Sequence, residues 1–217
     1  MTPVILFTVS VIISLISRKM GYMAIALSAI VFAAISVASF SLLHMFWLIA
    51  SVSWALIAMY SLSYDKYGRW LSVLFSVMIA GMSLVLTATN YIAFLAGWEI
   101  MSISSYFIIG LNKSKESPPF LFMAFSEAST MMILVGFAMA YSGTNSFAFT
   151  HLLSSLPLDL VAFGFLIKMG LFPFLLVEWL PAAHGEAPAN VSAALSGTMT
   201  LMGVYGLVKM IGLSPAD

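Results

Sequence analysis

The chain has 217 residues, of which 62% are hydrophobic and 7% charged, with zero net charge and no cysteine. Soluble domains carry about 25% charged residues, so eight basic and eight acidic side chains cannot build a soluble surface and the composition specifies an integral membrane protein. The lack of cysteine excludes disulfides, thiolate chemistry, Cys-ligated zinc and iron–sulfur ligation, so no metal site is expected here and any redox cofactor belongs to partner subunits.

A hydrocarbon layer of about 30 Å takes roughly 20 apolar residues to cross. Apolar length divides the chain into eight spans near 3–17, 21–44, 46–63, 70–88, 91–111, 119–141, 157–177 and 188–211. The first run is followed, not preceded, by Arg18-Lys19, which predicts a retained helix and not a signal peptide. The stretch Gly143 to Leu156 is too polar to cross and is expected to lie at the interface as a short amphipathic helix. All of this forms one transmembrane domain over 1–217, with 1–90 the N-terminal helices and 91–211 the part that carries intramembrane charges.

Six of the eight basic residues (Arg18, Lys19, Lys66, Arg69, Lys113 and Lys115) fall in the connections after spans one, three and five. Those connections share one side of the membrane. The positive-inside rule makes that side cytoplasmic and places both termini outside.

The other ionisable groups lie within spans or beside them: Glu99, Glu127, Lys168, Glu178, His184, Glu186 and Lys209. Glu99 and Glu127 each stand about 12 Å from a helix start at 1.5 Å rise per residue, too deep to reach water easily. Ser102 and Tyr106 continue a polar stripe on the Glu99 helix. Ser192, Ser196 and Thr200 recur at every fourth residue of the last span and read as a helix-packing surface. Lys168 is the lone charge in an apolar run, and Gly170-Leu-Phe-Pro173 follows it as a helix break inside the membrane. An ionisable residue at this depth marks an ion pathway with a partner nearby. Glu99 is the expected partner, and the bland alternative is a structural ion pair. A break there frees backbone carbonyls, tolerated only when buried in protein or lining water.

Gly97-Trp98-Glu99-Ile-Met-Ser-Ile-Ser-Ser-Tyr106 resembles the Trp-Glu helix of the antiporter-like subunits of respiratory complex I, group 4 membrane-bound hydrogenases and Mrp cation/proton antiporters. Ile167-Lys168-Met-Gly-Leu-Phe-Pro173, with Trp179-Leu-Pro181-Ala-Ala-His184-Gly-Glu186-Ala-Pro188, is similar to that family's broken seventh helix and following loop. Ser126-Glu127-Ala-Ser129 and Ser192 to Gly206 continue the likeness, which covers most of 50–210.

The resemblance implies an all-α fold like the first half of such a subunit, and a proton half-channel in which Glu99 and Lys168 are the coupled pair. Glu127, His184, Glu186, Glu178 and Lys209 are candidates for relay or uptake, with interfacial snorkelling the plainer account of Lys209. Three departures stand beside it. Family members have about fourteen spans in two inverted repeats, and this sequence matches the first. The family's eighth-helix lysine falls on Leu201. The segment Phe174 to Trp179 is two residues longer than usual and brings in Glu178, while Ala182 replaces a common aspartate.

The expected function is therefore a proton- or sodium/proton-translocating subunit of a complex I-like or group 4 hydrogenase-like complex in the cytoplasmic membrane. Iron–sulfur or other redox cofactors would sit in peripheral partner subunits, and a second antiporter-like subunit would pack alongside. The chain would be a translocase component and not an enzyme in its own right. The alternatives are a non-conducting structural module and an Mrp-type antiporter subunit.

Overall fold

Hydrophobic length becomes helix almost throughout the computed structural model, which describes residues 2–39, 41–64, 66–112, 117–149, 155–171 and 179–212. In chain order the helices are α1 (Thr2–Ile16), α2 (Arg18–Ala38), α3 (Leu42–Ser61), α4 (Gly68–Thr87), α5 (Tyr91–Ile109), α6 (Ser117–Thr144), α7 (Ser155–Lys168), α8 (Trp179–Glu186) and α9 (Ala189–Met210). Six of them, α2 to α6 and α9, are long and apolar enough to cross a membrane. α1 is shorter, and α7 has 14 residues and ends on Lys168. The chain is thus a multi-pass, all-α membrane protein.

Two boundaries differ from those that hydropathy gave. The run 21–44 breaks earlier, because Ser39 caps α2 with its N–H on the Ile35 carbonyl and the Ser41 hydroxyl accepts the His44 N–H to start α3. Capping hydroxyls decide helix ends, and a hydropathy window averages over them. The second difference is at Gly143 to Leu156, where no amphipathic helix forms over the described part. α6 runs on to Thr144, the chain turns at Asn145 with φ +51°, and Phe147 offers its carbonyl to the Tyr91 N–H at 2.8 Å. Phe149 then packs against Tyr91, Phe94 and Phe137. Aromatic burial and backbone pairing outweigh helix formation there.

α4 is the central helix, packed on α1, α2, α5 and α9. It meets α5 backbone to backbone: a Cβ on Gly97 would stand 2.8 Å from the Gly81 carbonyl oxygen. Small residues allow such approaches between membrane helices. α1, α2 and α4 are joined by buried hydroxyls, Ser14 to Ser76 at 2.6 Å and Ser10 to Ser28 at 3.2 Å.

Three cross-connections place the ends of α1, α3 and α5 on one face. Arg18 Nη1 donates to the Tyr64 carbonyl at 2.5 Å, Asn190 Nδ2 to Ser61 Oγ at 2.9 Å, and Asn112 Nδ2 to Glu186 Oε2 at 3.1 Å. That alternation is the one the basic residues demanded.

Candidate functional site

α7 places Lys168 at its last turn, pointing inward between α5 and α6, where the side chain is 1% exposed. Its Nζ donates to Ser102 Oγ of α5 at 2.6 Å and to Ser126 Oγ of α6 at 2.8 Å. The rings of Trp98 and Phe122 flank the ammonium at 5.7 and 5.1 Å. Ser102 in turn donates to the Trp98 carbonyl at 2.9 Å, so its lone pairs stay available to the lysine.

The expected glutamate partner is near but not in direct contact. Among the described residues the hydrogen bonds of Lys168 go to hydroxyls, each beside a carboxylate: Ser102 lies one turn beyond Glu99, and Ser126 immediately precedes Glu127. Glu99 and Glu127 are half-buried, and both lie close enough to act electrostatically on Lys168. The site is therefore an enclosed amine bonded to one serine of α5 and one of α6, with a half-buried glutamate near it on each of those helices. Ser126 as a ligand was not foreseen, although its place beside Glu127 was a usable signal.

The helix break is a cap. Gly170 has φ +70°, its N–H bonds the Ile167 carbonyl, and the Leu171 N–H bonds the Leu166 carbonyl, each at 3.0 Å. This is a Schellman motif, which ends helices on a left-handed glycine. So carbonyls expected to be freed are partly satisfied, and the negative end of the α7 dipole lies at Lys168. Pro173 and Glu178 fall outside the described residues.

The remaining candidates lie apart from Lys168. His184 Nδ1 is 3.2 Å from Ser192 Oγ, and burial pushes its pKa below the usual histidine value, against the opposing effect of its bond to Ser192. Glu186 accepts from Asn112 at the end of α5. Lys209 Nζ donates to the Ala88 carbonyl at 2.5 Å and to Tyr205 Oη at 3.1 Å, with Phe149 4.5 Å away. The contacts joining Lys168 to Lys209 run through rings: Trp98 to Phe94 at 5.6 Å, then Phe94 to Phe149 at 6.0 Å. Leu201 is half-buried against the core, just past a π-helical turn at Leu195–Met199 that no residue pattern announced. Ser196 and Thr200 bond their own backbone at 2.9 and 2.6 Å and Ser196 faces outward, so of that stripe Ser192, through His184, makes the contact within the chain.

Residues 88–216 match the profile of a family described as NADH:quinone oxidoreductase/Mrp antiporter, transmembrane. The chain belongs to this family. Hydrogenase-4 component B of Escherichia coli is 31% identical over 178 residues, covering 75% of this chain and 26% of that one. NAD(P)H-quinone oxidoreductase chain 4 2 of Microcystis aeruginosa is 32% identical over 167 residues, covering 70% of this chain and 30% of its own length. The fold recurs in an archaeal membrane-bound sulfane sulfur reductase complex (TM-score 0.79, 18% identity, 95% of this chain and 50% of that one). It recurs equally in the Mrp complex of a Dietzia species, with TM-score 0.79, 16% identity, and coverage of 96% of this chain and 48% of that one. The chain thus spans about half the length of these solved chains, and less than a third of the two curated relatives. Among the described residues no group of three or more His, Cys, Asp or Glu side chains could hold a metal ion.

Proposed function

We propose that the chain translocates protons, or exchanges sodium for protons, as a membrane-arm subunit of a complex I-like or group 4 hydrogenase-like complex. The observation that carries this reading is Lys168, an enclosed amine held by two hydroxyls that each adjoin a glutamate. A structural lysine would be cheaper to replace by an apolar residue, whereas a hydroxyl-held amine with two carboxyls near it can take up and release a proton. Family membership supports the reading, as do the relatives in hydrogenase-4 and NAD(P)H-quinone oxidoreductase.

In this reading Glu99 and Glu127 hold the proton next to Lys168, and His184 and Glu186 stand by the mouth on the basic side. Redox partner subunits carry the iron–sulfur or other cofactors and supply the energy. The complex sits in the cytoplasmic membrane with the basic connections inside. A second antiporter-like subunit completes the path beyond Leu201. The run of rings between Lys168 and Lys209 favours a second reading, a module that kept the glutamates and lysine but lost conduction.

Lys168→Met separates the two. In membrane vesicles carrying the assembled complex, the first reading expects ion pumping to fall by at least about 100-fold, the scale of a lost proton-transfer group, with complex content unchanged. Undiminished pumping at equal complex content would establish the structural module instead.

A further inference from the structure

The side chains that meet the Lys168 ammonium repeat one pattern on two helices. On α5, Trp98 lies beside it and Ser102, four residues on, accepts an N–H; on α6, Phe122 lies beside it and Ser126, again four residues on, accepts another. Residues four apart share one face of a helix, so each helix presents a ring and a hydroxyl to the same amine. An ammonium has three N–H groups, and the third has no acceptor among the described residues. Nζ stands 5.1 Å from the centre of the Phe122 ring and 5.7 Å from that of Trp98, over each ring. A cation within about 6 Å of a ring centre is attracted by the ring's negative face, most strongly where water is excluded. Lys168 and Phe122 are both fully enclosed.

A phenylalanine enclosed in a membrane protein is ordinarily packing. Phe122 differs in what it holds and in what holds it. Its ring is the nearer of the two to the cation. Trp179, the first residue of α8, meets that ring at 5.9 Å with an interplanar angle of 60°. The same indole stacks at 5.7 Å on Phe125, the next α6 aromatic on that side, so the Phe122 ring is braced from α8. An aliphatic side chain could fill the space but would offer the ammonium no π face.

We propose that Phe122 is a positioning residue for Lys168: its ring face holds the charged lysine in the seam between α5 and α6, while Ser102 and Ser126 fix the direction of two N–H groups. The contact stands on geometry alone; its effect on ion movement rests on the function proposed above.

The test replaces Phe122, in the complex from native membranes, by phenylalanines carrying increasing numbers of ring fluorines. Fluorine nearly keeps the shape of the ring and withdraws the electron density that attracts a cation. The series is made twice, with Lys168 and with Lys168→Met. With the lysine present, the unfolding midpoint of the purified complex is expected to fall with each fluorine, by about 2–4 °C in total, the scale of one such contact in a chain of this size. With Lys168→Met it is expected to stay level. Pumping by the lysine series is expected to fall in the same order, about tenfold in total at equal complex content. A level midpoint in the lysine series, or equal falls in both series, makes Phe122 mere packing and overturns the proposal. Undiminished pumping along the lysine series, where Lys168→Met abolishes it, overturns it too. Normal pumping by Lys168→Met itself ends the translocation reading, and the paired midpoints still decide the contact. If the fluorinated chains do not assemble, Phe122→Leu in the two backgrounds makes the same comparison.

Discussion

A lysine enclosed in a membrane protein is defined by what receives its N–H groups. Here the sequence located the lysine and both glutamates, since a charge inside an apolar run is visible without coordinates. It did not locate the receivers, because Ser102 and Ser126 meet Lys168 only through the rotation of α5 and α6 about α7. Serines abound in these helices, and only their places beside Glu99 and Glu127 set these two apart. The arrangement makes them partly redundant: either hydroxyl alone leaves the ammonium one strong partner. Ser102→Ala or Ser126→Ala is therefore expected to lower pumping modestly, while the double variant leaves the charge without its hydroxyls. For the double variant a loss of about 1–3 kcal/mol is expected, the penalty for an unsatisfied buried donor, exceeding the sum of the singles. Thermal unfolding of the purified complex, followed beside pumping, measures both.

Among the elements, α7 owes its end to Gly170. The motif Gly-Leu-Phe-Pro announced a break, and the structure assigns the break to the glycine's left-handed backbone, with the cap complete before Pro173 is reached. Gly170→Ala introduces two faults, a strained φ and a Cβ placed 2.9 Å from Leu180 Cδ2. A non-glycine residue held left-handed costs about 1–3 kcal/mol, and Asn tolerates that region better than Ala. Gly170→Ala is thus expected to lower the unfolding midpoint more than Gly170→Asn; equal losses would assign the damage to the Leu180 collision. Elsewhere the spans were legible as spans, but not the serine caps between α2 and α3, nor the aromatic strap after α6. Apolar length records how far a segment can cross, whereas caps and straps depend on single side chains meeting neighbours far off in sequence.

At the scale of the whole molecule, α9 turns Ser196 and Val204 away from the other helices. Ser196 belongs to the stripe read as a packing surface, and among the described residues its hydroxyl bonds only its own helix. A partner subunit against α9 would restore that role. Ser196→Cys in the native complex is expected to cross-link to a neighbouring membrane subunit, and a Cys at Met23, exposed on α2, serves as the contrast. Labelling of Ser196→Cys by a lipid-soluble maleimide, without cross-linking, would place α9 against lipid. The run Trp98, Phe94 and Phe149 carries a different consequence. Across an energised membrane the electrical potential falls most steeply where matter is least polarisable, and rings conduct neither ions nor dipoles. A unit charge crossing 100 mV exchanges about 2.3 kcal/mol with the field. In the translocation reading, the run of rings between Lys168 and Lys209 is therefore the stretch where a moving charge would exchange most of that energy.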